Sequence, residues 1–290
     1  MAELTVTPAT AAFGCFVDGL DVRKASAKQL GECRQLLFEH GVVFIRGQDL
    51  NPADQIRFAD HFGAIVVNRF FTPVPDFPQI AQVVTEPDQD WVIGEQWHTD
   101  HSYDAEPALG SILYAVEVPP EGGDTRFAGM QPAYDALGDD MKNRLAGLQA
   151  RHESAHIFAP SEKLRLIEAA DRNDAAYKQR AAEYPEAVHP MVLEHPETSR
   201  KGLYVNPEFT TGIVGMEKAE SDALLQQLFD HILQPEFTYR YRWEPGSIAI
   251  WDNRSTWHKA MNDYRGHRRQ MRRITIAGVP LGAARQAEAA

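Results

Sequence analysis

The sequence predicts one mainly β domain with flanking helices and a large helical insertion. Strand-like runs, which are short and rich in β-branched and aromatic residues, occur towards both ends of the chain. Between them, residues 131–235 carry apolar side chains three and four positions apart, a spacing that is typical of helices. No stretch rich in Pro, Gly or Ser divides the 290 residues. We therefore expect a single domain over residues 1–290, with the helical insertion at about 131–235.

The first elements are predicted from apolar spacing and from residues that start or stop helices. Residues 27–40 repeat apolar side chains at helical spacing, and Gly41 supplies a stop signal. The next run, 42–47, is β-branched and ends at glycine, so it predicts a buried strand. A second helix should begin at Asn51 and Pro52, because Asn caps helices and Pro is tolerated at their first position.

The later elements follow from the same two patterns. A strand is predicted at 109–118, and the Glu-Gly-Gly-Asp turn at 121–124 follows it, since glycine supplies positive φ. Apolar spacing predicts helical stretches at 131–149, 161–182 and 217–234. Short apolar runs predict strands at 191–195, 202–206, 239–243, 247–252 and 272–278.

Composition and charge exclude several classes of protein. The chain is 43% hydrophobic and 24% charged, as in globular proteins, and its formal net charge is −12. A nucleic-acid partner is disfavoured, because attraction to phosphate needs a positive face. Cys15 and Cys33 form no metal or redox motif, so we expect buried thiols. Neither a secretory signal nor an apolar stretch of ~20 residues is visible, so the prediction is a cytoplasmic protein without a membrane partner.

Three separated residues could hold a metal ion. His98 and Asp100 lie two positions apart in Trp97-His98-Thr99-Asp100, so on an extended segment their side chains face the same side. His258 follows a strand-like run near the other end of the chain. Each is by itself more often a structural residue, because the chain contains 11 histidines. Two histidines with one carboxylate are typical of non-haem Fe(II) oxygenases, and they also suit Zn²⁺ with a bound water.

An arginine-rich run after His258 predicts an anion-binding pocket. Four of residues 268–273 are arginines, and strand alternation places Arg269, Met271 and Arg273 on one face. Because apolar residues follow, some guanidinium groups should face the interior, where each needs an anionic partner. A guanidinium holds a carboxylate through two parallel hydrogen bonds. The combination therefore indicates a metal site beside a carboxylate clamp.

Six segments together resemble one enzyme family. The sequence is similar to the taurine dioxygenase and 2,4-D dioxygenase group of Fe(II)- and 2-oxoglutarate-dependent oxygenases. The resemblance runs from about Val6 to Val279. Its matching segments are 40–48, 97–100, 119–137, 202–206, 251–258 and 263–273. Their joint order and spacing are far more specific than any one of them.

The resemblance implies a fold and a set of site residues. The fold would be a double-stranded β-helix (jelly roll) core with helices outside and a helical insertion. The implied iron ligands are His98, Asp100 and His258. Thr125 and Arg269 would hold the carboxylate of 2-oxoglutarate that is remote from iron, and Arg273 would lie near its other carboxylate and the anionic group of the substrate. Fe(II) is the implied cofactor, with 2-oxoglutarate and O2 as co-substrates.

The family reaction couples conversion of 2-oxoglutarate to succinate and CO2 with hydroxylation of a substrate C–H bond. If that carbon bears sulfonate, sulfate or an aryl ether, the hydroxylated product is cleaved to an aldehyde or keto acid. The family commonly forms dimers or tetramers, so the resemblance implies a homodimer or homotetramer. The expected lid lies at 66–95 and in part of 153–185, where long irregular stretches suit a closing loop.

The substrate pocket departs from the taurine pattern. Asn68 stands where the taurine enzymes carry a sulfonate-binding histidine, Phe71 where they carry tyrosine, and Gly94 where they carry asparagine. The matching pocket residues are Phe158, Phe209 and Arg273. A larger aromatic pocket would be formed by Arg69, Phe70, Phe71, His101 and Tyr103, unless these are simply loop residues.

These differences favour a small anionic substrate bulkier than taurine, which would be an alkyl or aryl sulfonate, a sulfate ester or an aryloxyalkanoate. Taurine itself is the alternative within the family. From other classes, a zinc-dependent hydrolase and a non-catalytic jelly-roll binding protein are also compatible with parts of the sequence, although a hydrolase would not explain Thr125 with Arg269.

Overall fold

The computed structural model describes residues 4–67, 71–159 and 184–281. Asn68, Arg69 and Phe70, together with the helix predicted at 161–182, lie outside the described residues. The mainly β prediction with flanking helices is confirmed, because strands form both ends of the described chain and carry the largest share of its buried apolar side chains.

The first half of the chain builds most of a large sheet. Its strands are β1 (Thr5–Pro8), β2 (Cys15–Asp18), β3 (Val42–Ile45), β4 (Ile65–Val66), β5 (Pro73–Val74), β6 (Phe77–Thr85) and β7 (Gly110–Glu117). The strand β8 (Thr125–Gly129) leaves this sheet and begins a second one. The strands predicted at 42–47 and 109–118 are confirmed, whereas β6 and β8 were not predicted.

The first helix begins and ends where the sequence predicts, and the second begins at the predicted position. Helix α1 (Ala27–His40) is capped by the side chain of Ser26, and it stops at Gly41, whose φ of 76° favours glycine. Helix α2 (Pro52–Ala59) is capped by Asn51, which accepts a hydrogen bond from the backbone of Asp54. Both helices pack apolar faces on the large sheet.

Residues 131–235 contain strands as well as helices. The helices are α3 (Met130–Asp135), α4 (Asp139–Leu145), α5 (Ala155–Phe158) and α6 (Lys218–Ile232). The strands β9 (Gln149–Glu153), β10 (Glu186–Pro190) and β13 (Thr210–Ile213) form one small sheet, and β11 (Val192–Glu194) pairs with β12 (Lys201–Leu203). The prediction of one helical stretch over 131–149 is wrong, because extended Gly138 separates α3 from α4 and Gly147 adopts positive φ before β9.

The end of the chain returns to the two main sheets. The short helix Pro235–Phe237 leads into β14 (Thr238–Tyr241), followed by β15 (Ile248–Asp252), β16 (Thr256–Ala260) and β17 (Arg269–Ile276). The large sheet has the order β1-β2-β3-β15-β7-β17-β6-β5, with β4 paired to β17. The second sheet has the order β14-β8-β16. Strands predicted at 239–243, 247–252 and 272–278 are therefore confirmed.

The two sheets face each other across an aromatic core. Phe44 of the large sheet stacks on Tyr241 of the second sheet, with ring centroids 4.1 Å apart, and its ring is 5.5 Å from that of Phe127. Cys15 and Cys33 are buried free thiols, as predicted, and burial raises the pKa of each to about 12. No helix in the described part of the chain is long and apolar enough to cross a membrane.

Candidate active site

The backbone joins the two histidines that the sequence separates. His258 lies within β16, whereas the sequence placed it just beyond a strand, and His98 lies on the segment that precedes β7. The amide of His98 donates to the carbonyl of His258 at 3.1 Å, and the amide of His258 donates back at 2.9 Å. This antiparallel bridge holds the two imidazole rings 4.1 Å apart between centroids.

The Asp100 carboxylate completes a buried cluster of three potential ligands. Its Oδ1 lies 3.6 Å from Nε2 of His98, and its Oδ2 lies 3.7 Å from Nε2 of His258. One ligand atom from each residue lies within 4.8 Å of the others, and each residue is less than a tenth exposed. The predicted triad is thus brought together on one side of an internal site.

Neighbouring groups fix the orientation of the triad. Nδ1 of His98 contacts the carbonyl of Gln96 at 2.8 Å, which leaves Nε2 facing Asp100. The Asp100 Oδ2 accepts from Ser111 Oγ at 3.1 Å and from Arg273 Nη2 at 2.6 Å. Such outer hydrogen bonds orient metal ligands and set their basicity.

The pKa values of the triad reflect burial and mutual charge. Burial alone would lower the pKa of His98, but the hydrogen bond to Asp100, the negative charges of Glu208 and Asp100 and the contact with Gln96 together raise it. Burial would raise the pKa of Asp100, yet the Arg273 guanidinium and His258 hold it well below its usual range. Burial, together with the charge of His98, lowers the pKa of His258 well below its usual range. Two imidazoles that can bind in their neutral form and one ionised carboxylate make a ligand set that suits a divalent metal ion such as Fe(II).

Arg269 is a buried cation without a carboxylate partner in the described part of the chain. Its side chain points inward from β17, as strand alternation predicts, and the residue is 6% exposed. Its Nε donates to the carbonyl of Gly123 at 3.0 Å, while the terminal guanidinium nitrogens have no partner among the described residues. Burial lowers the pKa of Arg269, as expected for a charge removed from water.

A small cavity connects Arg269 with the metal cluster. The cavity measures about 60 Å³ and is lined by residues that include Thr125, His98 and His258. Thr125 begins β8 and accepts a hydrogen bond from Trp243 Nε1 at 3.0 Å, which holds its hydroxyl at this wall. The predicted pair of Thr125 and Arg269 is therefore brought together beside the triad.

Arg273 lies between the triad and a second, larger cavity. Besides Asp100, it contacts Ser111, which accepts from its Nε at 3.2 Å and from its Nη2 at 3.0 Å. Its guanidinium also lies 5.8 Å from the centre of the Phe71 ring. Arg273 therefore orients the carboxylate of Asp100 in addition to lining the cavity where the sequence predicts an anion.

The larger cavity, of about 620 Å³, opens beside the triad and is mostly apolar. The Tyr103 ring packs 4.8 Å from that of Phe209 and 5.9 Å from that of Phe158, so three predicted pocket residues form one aromatic wall. Phe71, Trp91 and Ile93 from the predicted lid segment also line it. Asn68 is outside the described residues, so its predicted contact with substrate stays a prediction.

The sequence interpretation missed two residues of the site. Ser111 on β7 bridges Asp100 and Arg273. Glu208, which immediately precedes Phe209, lines the larger cavity and places Oε2 3.3 Å from Nδ1 of His98. Neither residue belongs to a recognisable motif, although their neighbours in the chain carried the strongest signals.

Comparison with known proteins assigns this geometry to a family. Residues 5–275 match the family described as Taurine catabolism dioxygenase TauD, TfdA family. The chain belongs to this family. The match to the TauD, TfdA family covers nearly the whole described chain, in agreement with the resemblance inferred from the six motifs.

Individual TauD, TfdA relatives differ in their substrates. An α-ketoglutarate-dependent 2,4-dichlorophenoxyacetate dioxygenase of Cupriavidus pinatubonensis is 34% identical, over 94% of this chain and 97% of its own. An alkylsulfatase of Acinetobacter baylyi is 35% identical, over 83% of this chain and 74% of its own. The crystal structure of a taurine dioxygenase from Burkholderia xenovorans is 32% identical with a TM-score of 0.78, covering 96% of this chain and 90% of that one.

Family membership and the buried triad establish the class of chemistry. The protein is a 2-oxoglutarate-dependent non-haem iron dioxygenase, an oxidoreductase with Fe(II) as cofactor and 2-oxoglutarate and O2 as co-substrates. The two alternatives from other classes, a zinc-dependent hydrolase and a non-catalytic jelly-roll protein, do not agree with this assignment.

Proposed function

We propose that the protein hydroxylates a C–H bond next to a heteroatom in a small anionic substrate bulkier than taurine. The substrate classes are alkyl or aryl sulfonates, sulfate esters and aryloxyalkanoates, and hydroxylation leads to cleavage of the product. Relatives named for dichlorophenoxyacetate, alkyl sulfate and taurine chemistry support this range. The products from the co-substrate are succinate and CO2.

His98, Asp100 and His258 hold the iron in this proposal. Their donor atoms, two imidazole nitrogens and one carboxylate, match the ligand set of non-haem Fe(II) oxygenases. When bound, Fe(II) with 2-oxoglutarate supplies the activation of O2. The task of the chain is to orient the ligands through Gln96 and Ser111 and to keep bulk water away from the reacting carbon.

The observation that carries the proposal is the buried Arg269 at the end of a cavity that also reaches the triad. An unpaired guanidinium in the interior needs an anionic partner, and the remote carboxylate of 2-oxoglutarate supplies one. Thr125 offers its hydroxyl at the same wall. A zinc hydrolase would have no use for this arrangement.

The larger cavity supports a substrate with an apolar body. Its volume of about 620 Å³ lies in the range of ordinary ligand pockets. Phe71, Tyr103, Phe158 and Phe209 provide apolar walls, and Arg273 is the cation at the inner end for the anionic group. Gly94, which stands where taurine enzymes carry asparagine, lines the same space without a side chain.

We further propose that the core is a double-stranded β-helix. The support is the antiparallel pairing within each main sheet and the aromatic packing between them. The single domain over 1–290, the homodimer or homotetramer and the cytoplasmic location stay predictions from the sequence. Sedimentation velocity of the purified protein tests the oligomeric state.

A panel of substrates tests the reaction. Succinate formation is measured with Fe(II), 2-oxoglutarate and O2 against hexanesulfonate, hexyl sulfate, phenoxyacetate and taurine, with product release quantified in parallel. We expect coupled turnover of at least one of the first three at a higher kcat/KM than taurine. Coupled turnover of taurine alone would overturn the proposed substrate class and favour the taurine alternative.

An anaerobic titration tests the roles of the residues. Fe(II) plus 2-oxoglutarate should give a weak visible charge-transfer band with the wild-type protein and with His61→Ala, which alters an exposed histidine. The band should be lost in His98→Ala. Absence of the band in the wild-type protein would remove the assignment of the triad and of Arg269.

A further inference from the structure

The carboxylate of Glu208 lies inside the substrate cavity without a role in the chemistry described so far. Glu208 is on the loop between β12 and β13, directly before Phe209, and its side chain is 13% exposed. Its Oε2 lies 3.3 Å from Nδ1 of His98. The carboxylate is therefore beside the metal cluster and in reach of a bound substrate.

The protein does not neutralise this carboxylate with a fixed cation. Within residues 4–67, 71–159 and 184–281, no Lys or Arg nitrogen lies within ion-pair distance of it. The nearby His156 contacts the backbone carbonyl of Glu208, at 2.6 Å, and not its side chain. Burial of an anion that lacks such a partner is costly, and burial accordingly raises the pKa of Glu208. A hydrogen-bond donor from a ligand would offset this cost.

His98 is already satisfied without Glu208. Its Nδ1 contacts the carbonyl of Gln96 at 2.8 Å, which is shorter than the 3.3 Å to Glu208. Orientation of His98 can therefore rest on Gln96, because a backbone carbonyl is a usual partner for the second nitrogen of a metal-binding histidine. The oxygens of Glu208 stay available to the cavity.

The polar groups of the cavity lie on two sides of the metal cluster. Arg273 adjoins Asp100, whereas Glu208 adjoins His98. Glu95 also lines the cavity, but both of its oxygens face the side-chain amide of Asn262 at 3.5 Å. Most of the remaining wall is apolar. A ligand that complements this cavity carries an anion at one point and a donor at another.

We propose that Glu208 is a specificity-determining residue that accepts a hydrogen bond from a hydroxyl, amide N–H or ammonium group of the substrate. The preferred substrate is then an anion that also carries such a donor, and a second anionic group is rejected by repulsion. This inference rests on the proposed function, because it concerns the substrate of the same site. Phe71 and Gly94, which stand where taurine enzymes carry tyrosine and asparagine, have no polar side chain that could accept such a hydrogen bond.

Matched substrates isolate the donor group. Butanesulfonate and aminopropanesulfonate differ by a terminal methyl against an ammonium group, and para-methylphenoxyacetate differs from para-hydroxyphenoxyacetate by a methyl against a hydroxyl. For each pair, kcat/KM is measured from succinate formation. The Kd of each compound is measured by anaerobic calorimetry with Fe(II) and 2-oxoglutarate bound. For each pair, the readout is kcat/KM for the donor-bearing compound divided by kcat/KM for the methyl compound. The corresponding ratio of binding affinities is taken from the Kd values.

The variants are Glu208→Leu, Glu208→Gln and the control Glu220→Gln, which alters an exposed carboxylate outside the cavity. In at least one pair, wild-type protein should favour the donor-bearing compound, and Glu208→Leu should lower that ratio about tenfold or more, because a charge-assisted hydrogen bond is lost. Glu208→Gln should show an intermediate ratio, since an acceptor oxygen is kept. Glu220→Gln should leave the ratio unchanged.

Two results would overturn the inference. One is a ratio in Glu208→Leu equal to that of the wild type. The other is an equal loss for both members of each pair together with weaker Fe(II) binding, which would make Glu208 a positioning residue for His98. The binding ratios decide this question even without turnover. Absence of coupled succinate from all four compounds and the wider panel would count against the proposed function alone.

Discussion

Replacement of Arg269 by methionine should move stability and co-substrate affinity in opposite directions. The guanidinium is 6% exposed and pairs with no carboxylate in the described chain. Removal of such a charge relieves a desolvation cost of several kcal/mol. The substitution also removes a hydrogen bond to Gly123 and a cation–π contact with Trp243, each worth about 1 kcal/mol. These losses partly offset the relieved desolvation cost. The free energy of unfolding of metal-free protein should therefore rise by about 1–2 kcal/mol.

The same change should weaken 2-oxoglutarate binding severely. Removing one partner of a buried, hydrogen-bonded charge pair costs about 2–5 kcal/mol, which corresponds to roughly 30-fold to several thousand-fold in Kd. Urea unfolding followed by far-UV circular dichroism gives the stability of Arg269→Met. Anaerobic titration of the Fe(II) protein gives its affinity for 2-oxoglutarate. Both expected free-energy changes follow from the burial of Arg269 and from its lack of a carboxylate partner in the described chain.

The neighbouring Arg268→Met provides the matched control. Arg268 directly precedes β17, and its side chain pairs at the surface with Glu86 and Glu117. Surface pairs of this kind contribute about 1 kcal/mol or less, and the residue does not line the small cavity. Its 2-oxoglutarate affinity should equal that of the wild type. If Arg269→Met lost stability while binding 2-oxoglutarate normally, the assignment of Arg269 as the carboxylate clamp would be refuted.

Three further perturbations test other parts of the structure. Gly94→Ala should lower the free energy of unfolding by about 1–2 kcal/mol, because the backbone φ at Gly94 is +78°. It should also weaken Fe(II) binding, because the new Cβ would lie 3.0 Å from Cε1 of His98. Wild-type values in urea unfolding and metal calorimetry would contradict this prediction. Asp252→Asn should cost about 3–5 kcal/mol in urea unfolding, since it breaks the buried pair with Arg254, and a loss below about 1 kcal/mol would count against it. Burial lowers the pKa of His152 from 6.5 to about 3, so the unfolded chain takes up the proton first. Its contribution to stability is complete above about pH 6.5 and falls by about 1.4 kcal/mol per pH unit towards pH 3, a slope that His152→Gln should reduce in pH-dependent unfolding.

The sequence predicted elements best where local signals agree. Helix α1 matches its predicted bounds, because its apolar spacing and the stop at Gly41 indicate the same segment, which Ser26 caps in the structure. The strand β8 was missed since its five residues mix Thr125, an arginine and a glycine, and pairing with β14 and β16 stabilises it. Short strands of this kind depend on neighbours that come more than a hundred residues later.

The residues of the candidate site could be predicted where they belong to a sequence motif. His98, Asp100, His258, Thr125 and Arg269 come together as the resemblance implied. The contacts of Glu208, in contrast, depend on the path of a loop, which no local pattern specifies. The ion pair between Arg273 and Asp100 likewise arises from tertiary packing, because the segment that carries Asp100 must meet β17 before either charge has a partner.

The hydrogen-bonded bridge between His98 and His258 has a consequence for how the enzyme acquires its iron. The peptide groups of the two ligands are hydrogen-bonded to each other, so the fold itself positions the backbone that carries both imidazole rings. The second histidine, however, enters the structure only after most of the chain has been synthesised. We therefore expect Fe(II) to bind only after the end of the chain that carries His258 has been synthesised and has paired with the His98 segment.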